Sequence, residues 1–339
     1  MTRSSNNHSR GAGTGAGRGT TAARDEAAVL AASGHLTDRD RELIRLVARL
    51  RVLTTGQLAA LGFSSAITAR HRLALLVRLG MLRRFRPRRE TGSAPWHYVL
   101  GPIGAAMLGQ EDRDEKKWAP QVRADRQLAL ERSQRLSHMT GTNWFFVQLA
   151  RHAREHGGEL QWKPEQEAAE HLYVTRWDAE TRPHPDGMGI WAEDGTDIVF
   201  FLEYDTGTEH HRQLAGKLPG YAEMARINMT FQVPILFCFP TPRREQAART
   251  AMAATTASHA LQIATTALDP AVTCPACGPA WMALHGGHGP MRLIGLDDVL
   301  PDPWRAARAE DEHRERERQE HEQHALADEP DDLLWPYGR

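Results

Sequence analysis

Between Arg182 and Tyr221 the sequence runs RPHPDGMGIWAEDGTDIVFFLEYDTGTEHHRQLAGKLPGY. Asp186 follows a proline, Glu203 and Asp205 close an apolar strand-like run, and Gln213, Lys217 and Tyr221 recur every fourth residue on the next segment. Asp186 and Glu203 on adjacent strands, with the Tyr204 carbonyl, would offer hard oxygen ligands to a magnesium ion, which binds oxygen at about 2.0–2.1 Å. Water activated by such a cation attacks a phosphodiester, and a nearby ammonium stabilises the charge that develops. Residues four apart share a helix face, so Gln213, Lys217 and Tyr221 are expected to point one way, with Pro219 expected to kink that helix. The plainer reading of the same residues is that Asp186 caps a turn, Glu203 and Asp205 sit exposed at a strand end, and Lys217 pairs with one of them.

A second ligand set is weaker. Cys274, Cys277, His285 and His288 form C-x2-C-x7-H-x2-H, four groups within reach of one tetrahedral zinc. The interval between the pairs is short of the usual finger and the loop is glycine-rich, so an unliganded loop is expected and zinc is not. GAGTGAG near residue 11 imitates a phosphate loop, but no strand precedes it and no Lys-Ser/Thr pair follows, which excludes nucleotide binding there.

The elements that must position these groups follow from composition and periodicity. The chain has 339 residues, 41% of them apolar, enough for two globular domains with tails. Residues 1–34 are Gly, Ser, Asn and Ala rich and read as a disordered arm. Thr37 with Asp40 caps a helix carrying Leu43, Leu46, Val47 and Leu50; a second helix spans Thr55 to Leu61, capped by Thr55; a third spans Ser65 to Leu79 with Ile67, Leu73, Leu76 and Val77 inward and Gly80 at its end. Two strand-like pieces, MLRRFRP and PWHYVLG, complete residues 35–109 as a winged helix-turn-helix.

Charge supports that assignment. The chain's net charge is −1, yet residues 36–109 carry thirteen arginines against four acids, net +9, while 302–339 carry six against twelve, net −6. A basic domain and an acidic tail point to double-stranded DNA as partner. Ser65, Thr68, Arg70, His71, Arg72 and Arg78 are expected to face outward from the third helix toward bases and phosphates, and Arg83, Arg84, Arg86, Arg88 and Arg89 to form the wing. Three cysteines fit a reducing compartment, and the longest apolar runs, IVFFL and VPILFCF, are too short to span a bilayer, so a cytoplasmic protein without membrane contact is expected.

Residues 110–138 read as a helical connector and 301–339 as an acidic mixed-charge tail. In 139–300 the order is helix (143–156), strands at 159–162, 188–191 and 197–205, helix (208–226), strand (233–240), helix (243–258) and strand (261–266), an α/β (α+β) pattern. That order, with Asp186 entering one strand and Glu203 ending the next, resembles the PD-(D/E)XK restriction-endonuclease-like mixed-sheet fold. The pairing of LTDRDRELIRLV..LTTGQLAAL with RPHPDGMGIW..FFLEYDTGTE..LAGKLPGY resembles the actinobacterial replication-relaxation family. The nuclease resemblance implies a lysine two residues after Glu203; Asp205 stands there instead, so either Asp205 is an extra ligand or the site is crippled. Lys217 is the candidate replacement, and some members of the fold carry a Q-x-x-x-Y helix beside the metal, matched only in spacing by Gln213, Lys217 and Tyr221. The family resemblance implies work on plasmid or mobile-element DNA. Two readings stay open: a magnesium-dependent nickase or nuclease, or a non-catalytic replication or transcription regulator using the nuclease-like domain for dimerisation or for binding replication and transfer proteins.

Overall fold

The computed structural model describes residues 26–88, 92–114, 117–171, 183–227, 233–268, 276–287, 289–296, 298–300, 314, 316 and 318. The chain is α+β and divides into two compact units, Met1–Val147 and Gln148–Arg339. Among the described residues no helix is long and apolar enough to cross a membrane.

The first unit begins with α1 (26–33), earlier than its composition suggests. Val29 and Ala32, three apart, are buried. Their burial fixes one face of a stretch whose composition reads as part of the arm. Helix α2 (Asp38–Leu50) carries the expected capping box: Thr37 Oγ1 accepts from Asp40 N, and the Asp40 carboxylate accepts from Thr37 N at 2.8 Å. Helix α3 (Thr55–Gly62) is capped by Thr54, not Thr55, because Gln57 stands three residues after Thr54 and completes a second box. Helix α4 (Ala66–Arg78) is capped by Ser65 and turns the stripe Ala69, Leu73 and Leu76 inward. Ile67 lies off that stripe and is 65% exposed, contrary to the inward position expected of it.

Strands β2 (Leu82–Phe85) and β3 (His97–Leu100) pair antiparallel in the register Leu82↔Leu100 to Phe85↔His97. The sheet has three strands and not two, because β1 (Leu53–Thr54) joins the far side of β3. All four residues of β3 are buried, as its central place requires. Helices α5 (Pro102–Glu111) and α6 (Ala124–Glu131) belong to this unit: Gln121 Nε2 donates to Ala48 O at 2.9 Å and Gln127 Nε2 to Leu100 O at 3.0 Å, so residues 117–138 pack on it and do not merely lead away from it.

Helix α7 (Leu136–His156) contains the division between the units. The second unit holds a six-stranded mixed sheet in the order β4-β5-β6-β7-β8-β9: β4 (Glu159–Pro164), β5 (Gly187–Glu193), β6 (Thr196–Tyr204), β7 (Ile235–Phe239), β8 (Ile263–Ala267) and β9 (Met282–Ala283). The first three alternate in direction, β6, β7 and β8 run parallel, and β9 returns antiparallel. Asp194 and Gly195, both at positive φ (53° and 80°), make the two-residue turn between β5 and β6 that the Asp-Gly pair predicts. Helix α9 (His211–Ile227) connects β6 to β7, and α10 (Pro242–Ala253) connects β7 to β8. Their buried faces, with Leu214, Leu218, Tyr221, Ala248 and Met252, meet Phe201, Ile235, Phe237 and Ile263 in one apolar cluster. β7 is buried at every residue, as expected of a parallel strand covered on both faces. Helix α8 (Glu165–His171) and β9 were not anticipated; both are short and lack a clear period.

One ion pair ties the first unit's exposed helix to its core. Asp40, fully buried, receives Arg72 Nε at 3.0 and 3.1 Å from its two oxygens, while Arg72 Nη2 also donates to His35 O at 2.6 Å. Burial works against the Asp40 carboxylate, but hydrogen bonds from Arg72 and Thr37 more than offset it and hold it below the ordinary carboxylate range. Asp40→Ala is expected to lower the unfolding free energy of this unit by about 3 kcal/mol, since it strands a partly buried guanidinium and opens the α2 cap. Chemical denaturation followed by circular dichroism reads this as a lower midpoint; an unshifted midpoint would mean the pair contributes nothing.

Candidate functional site

The register of β5 on β6 decides what meets at the end of the sheet. Gly187 pairs with Leu202, so one residue further Asp186 comes opposite Glu203. Asp186 N donates to Leu202 O at 2.9 Å, and Asp186 Oδ2 accepts from Tyr204 N at 2.7 Å, which fixes this carboxylate beside the strand end. Glu203 is 2% exposed. Its Oε2 accepts from Lys217 Nζ at 2.6 Å and its Oε1 from the Tyr221 hydroxyl at 2.6 Å. Lys217 and Tyr221 lie one turn apart on α9, which runs unbroken as helix through Pro219, so the expected kink does not divert Tyr221.

The electrostatics follow from this geometry. Burial, with the nearby Asp186 charge adding to it, pushes the Glu203 carboxyl up to about 7 against the pull of Lys217 and Tyr221. Burial also disfavours the Lys217 ammonium, yet the Glu203 charge and hydrogen bond, with Asp186 and Glu209, more than reverse that and hold it above its usual value. The Tyr221 hydroxyl is raised well above the phenol range by burial and then by Glu203. Two carboxyl groups and one ammonium thus share a small volume, and the crowding of negative charge there favours the protonated form of Glu203.

Two expected members are placed elsewhere. Asp205 is buried, but Arg244 holds it: Arg244 Nε donates to Asp205 Oδ2, Nη2 donates to Oδ1 at 3.0 Å, and Gly207 N adds a bond to Oδ1 at 2.9 Å. It therefore acts as the partner of Arg244 and not as an added ligand. Gln213 is exposed and its Oε1 accepts from His210 N at 3.0 Å, so it closes the first turn of α9 and does not face Glu203. Its third position in the helix explains this, because a side chain there reaches back to the cap.

Glu209 and Arg244 were missed. Glu209 brings Oε2 to 3.8 Å from Lys217 Nζ, and its carbonyl accepts from Arg244 Nη2. β6 and β7 run parallel, so the loop after β6 and the first turn of α10 after β7 meet at the same end of the sheet. A buried acid at the end of an apolar strand was the available signal that a cation from the neighbouring connection had to arrive.

Asp186, Glu203 and the Tyr204 carbonyl are donor types that suit magnesium, which binds through one or two carboxylates and is completed by water and phosphate oxygens. Each Glu203 oxygen keeps a lone pair beyond its bond to Lys217 or Tyr221. Among the described residues no group of three or more His, Cys, Asp or Glu is arranged to hold a metal ion. For zinc, Cys274 and His288 lie outside the described residues; Cys277 is buried, and His285 places Nε2 3.0 Å from Ser258 Oγ and stacks on His259 at 4.4 Å.

In the first unit, Thr68, Arg70, His71, Arg78, Arg84, Arg86 and Arg88 are exposed, and Arg89 lies outside the described residues. Ser65 spends its hydroxyl on the α4 cap, accepting from Ile67 N at 3.2 Å. Arg72 does not face outward: Asp40 draws it in. Arg83 is exposed but donates to Val122 O at 3.2 Å and Gln127 Oε1 at 3.1 Å, which ties it to α6 and the segment before it.

Because Glu203 titrates near 7 when folded and near 4.5 when unfolded, the folded state holds the extra proton between those values. Stability contributed by this group is therefore greatest below about 4.5 and falls as pH rises toward about 7. Glu203→Gln is expected to flatten the pH dependence of the unfolding free energy across that window, measured by denaturation at a series of pH values; an unaltered slope would contradict the assignment.

A family model described as replication-relaxation matches residues 44–234. No curated protein and no solved structure matches the chain. The matched region covers more than half of the 339 residues, from within α2 to the residue before β7, and takes in Asp186, Glu203, Lys217 and Tyr221. On that extent of match, the chain belongs to the replication-relaxation family.

Proposed function

We propose that this chain is a DNA-binding protein of plasmid or mobile-element replication or transfer, its first unit a winged helix-turn-helix that grips duplex DNA and its second a PD-(D/E)XK nuclease-like domain. The observation that carries the reading is the exposed set Thr68, Arg70, His71, Arg78, Arg84, Arg86 and Arg88 on α4 and the β2–β3 hairpin, within a segment of net charge +9. α4 would enter a major groove with Thr68 and His71 near base edges, and the hairpin arginines would follow a phosphate run. Family membership supports a role in replication.

The convergence of Asp186, Glu203 and Lys217 favours a second reading, a magnesium-dependent nickase or nuclease. Magnesium bound by Asp186 and Glu203 would supply polarisation of a phosphodiester and activation of water. Lys217 would stabilise charge on the phosphoryl oxygens, Tyr221 would fix the Glu203 carboxylate, and Tyr204 N would hold Asp186 in place. Asp205, already neutralised by Arg244, would do neither, which favours the non-catalytic alternative.

Binding to a labelled duplex should weaken steeply with salt, and replacing Arg70, Arg78 and Arg88 by Gln should reduce the slope of log affinity on log salt by about 0.9 for each phosphate that is no longer neutralised. Equal affinity at low and high salt would defeat the DNA reading. Conversion of supercoiled plasmid to nicked or linear forms with magnesium, abolished in Asp186→Ala and Glu203→Ala, is the outcome expected of the nickase; intact plasmid together with intact duplex binding would leave the regulator.

A further inference from the structure

Arg84 and Arg86 stand two residues apart along β2 and its extension, on one side of the ribbon. The half-buried Trp96, just before β3, is near them both: Arg84 Cζ and Arg86 Cζ each lie 4.2 Å from its ring centroid. Neither guanidinium has an acidic partner among the described residues. Two like charges gathered at one indole repel each other, and among the described residues the ring is the group that lies against both.

We propose that Trp96 is the positioning residue of a two-arginine clamp that takes adjacent backbone phosphates of duplex DNA. The inference deepens the DNA-binding reading and rests on it. An unrestrained arginine loses side-chain freedom when it meets a phosphate, and stacking on an aromatic face removes part of that loss beforehand. A guanidinium packed against a ring by its flat face keeps its N–H edge for the two oxygens of a phosphate. Arg83 provides the contrast on the same strand: it faces the other way and is bonded to Val122 O and Gln127 Oε1, so it is not available to the clamp. A duplex fits better than an isolated anion, because Arg70, Arg78 and Arg88 add further exposed positive charge in the same unit.

The test uses the full chain and fluorescence anisotropy of a labelled mixed-sequence duplex over a salt series. Trp96→Ala should weaken binding by about tenfold at low salt, and Trp96→Phe, which keeps an aromatic face, should restore most of it. Arg84→Gln with Arg86→Gln should lower the salt slope by about 1.8, the amount due to two phosphates. In that double-Gln background Trp96→Ala should cost nothing further, the non-additivity that marks residues acting as one unit. Wild-type affinity in Trp96→Ala, or a full additional loss in the double-Gln background, would overturn the clamp while leaving duplex binding intact. Absence of duplex binding by the wild type would instead overturn the DNA reading on which the clamp rests. Should Trp96→Ala unfold, as circular dichroism would reveal, the exposed arginine pair still decides the matter: an unchanged salt slope in Arg84→Gln with Arg86→Gln overturns the clamp.

Discussion

A carboxylate buried at the end of an apolar strand is the constraint around which the second unit is arranged. Glu203 is buried on β6, opposite Phe237 of β7 and on the same strand face as Phe201, which packs with Tyr221 in the apolar cluster, so an ionised group without partners there would be costly. Satisfying it sets the rotation of α9 about its axis, because Lys217 and Tyr221 must both reach the same carboxylate. That rotation turns Leu214, Leu218 and Met224 onto the sheet. The polar triad and the hydrophobic face of α9 are therefore one geometric requirement, met by residues spaced three and four apart.

The two acids at this strand end are neutralised by different connections. Glu203 takes its cation from α9, which follows β6; Asp205 takes Arg244 from α10, which follows β7. In a parallel arrangement both helices start at the end of the sheet where the strands finish, so the two pairs lie side by side, and Glu209 touches both, its carboxylate near Lys217 and its carbonyl on Arg244. The acid two residues after Glu203 is thus the group that Arg244 meets. A lysine there would place a second cation next to Arg244. With Asp205, the position instead fixes Arg244, whose Nη2 donates both to Asp205 and to the Glu209 carbonyl and so closes the loop leading into α9.

What could be read in the sequence was what local chemistry decides. The Thr37 capping box, the Asp194-Gly195 turn, the pairing of Asp186 with Glu203 and the approach of Lys217 each depend on a few neighbouring residues or on one strand register. What could not be read depends on elements far apart in the chain. Arg70 and Arg72, two apart on α4, lie on different sides of the helix, and it is the buried Asp40, thirty-two positions earlier, that draws Arg72 in as a structural arginine. Ile67 fits an apolar period on paper, but α4 is oriented by Ala69, Leu73 and Leu76, and that stripe leaves position 67 outside. Gln213 keeps the four-residue spacing with Lys217 and Tyr221, yet the helix starts at His211, so its side chain is spent on the cap.

The same distinction changes how the basic segment should be read. A count of arginines treats thirteen charges as equivalent, but their environments sort them. Arg72 neutralises a buried acid, Arg41 and Arg45 lie near Glu111, at 3.6 and 2.9 Å, Arg39 lies over the Phe63 ring and Arg83 is bonded to backbone and amide oxygens. These groups hold the unit's own helices and sheet together. Arg70, Arg78, Arg84, Arg86 and Arg88 are exposed on α4 and the hairpin, and Arg51, just after α2, is exposed as well. An electrostatic footprint concentrated on one helix and one ribbon carries positional information that a uniform coat of arginine lacks, because only a surface able to meet both elements at once can use most of it. A duplex, with a groove beside a regular run of phosphates, has that form.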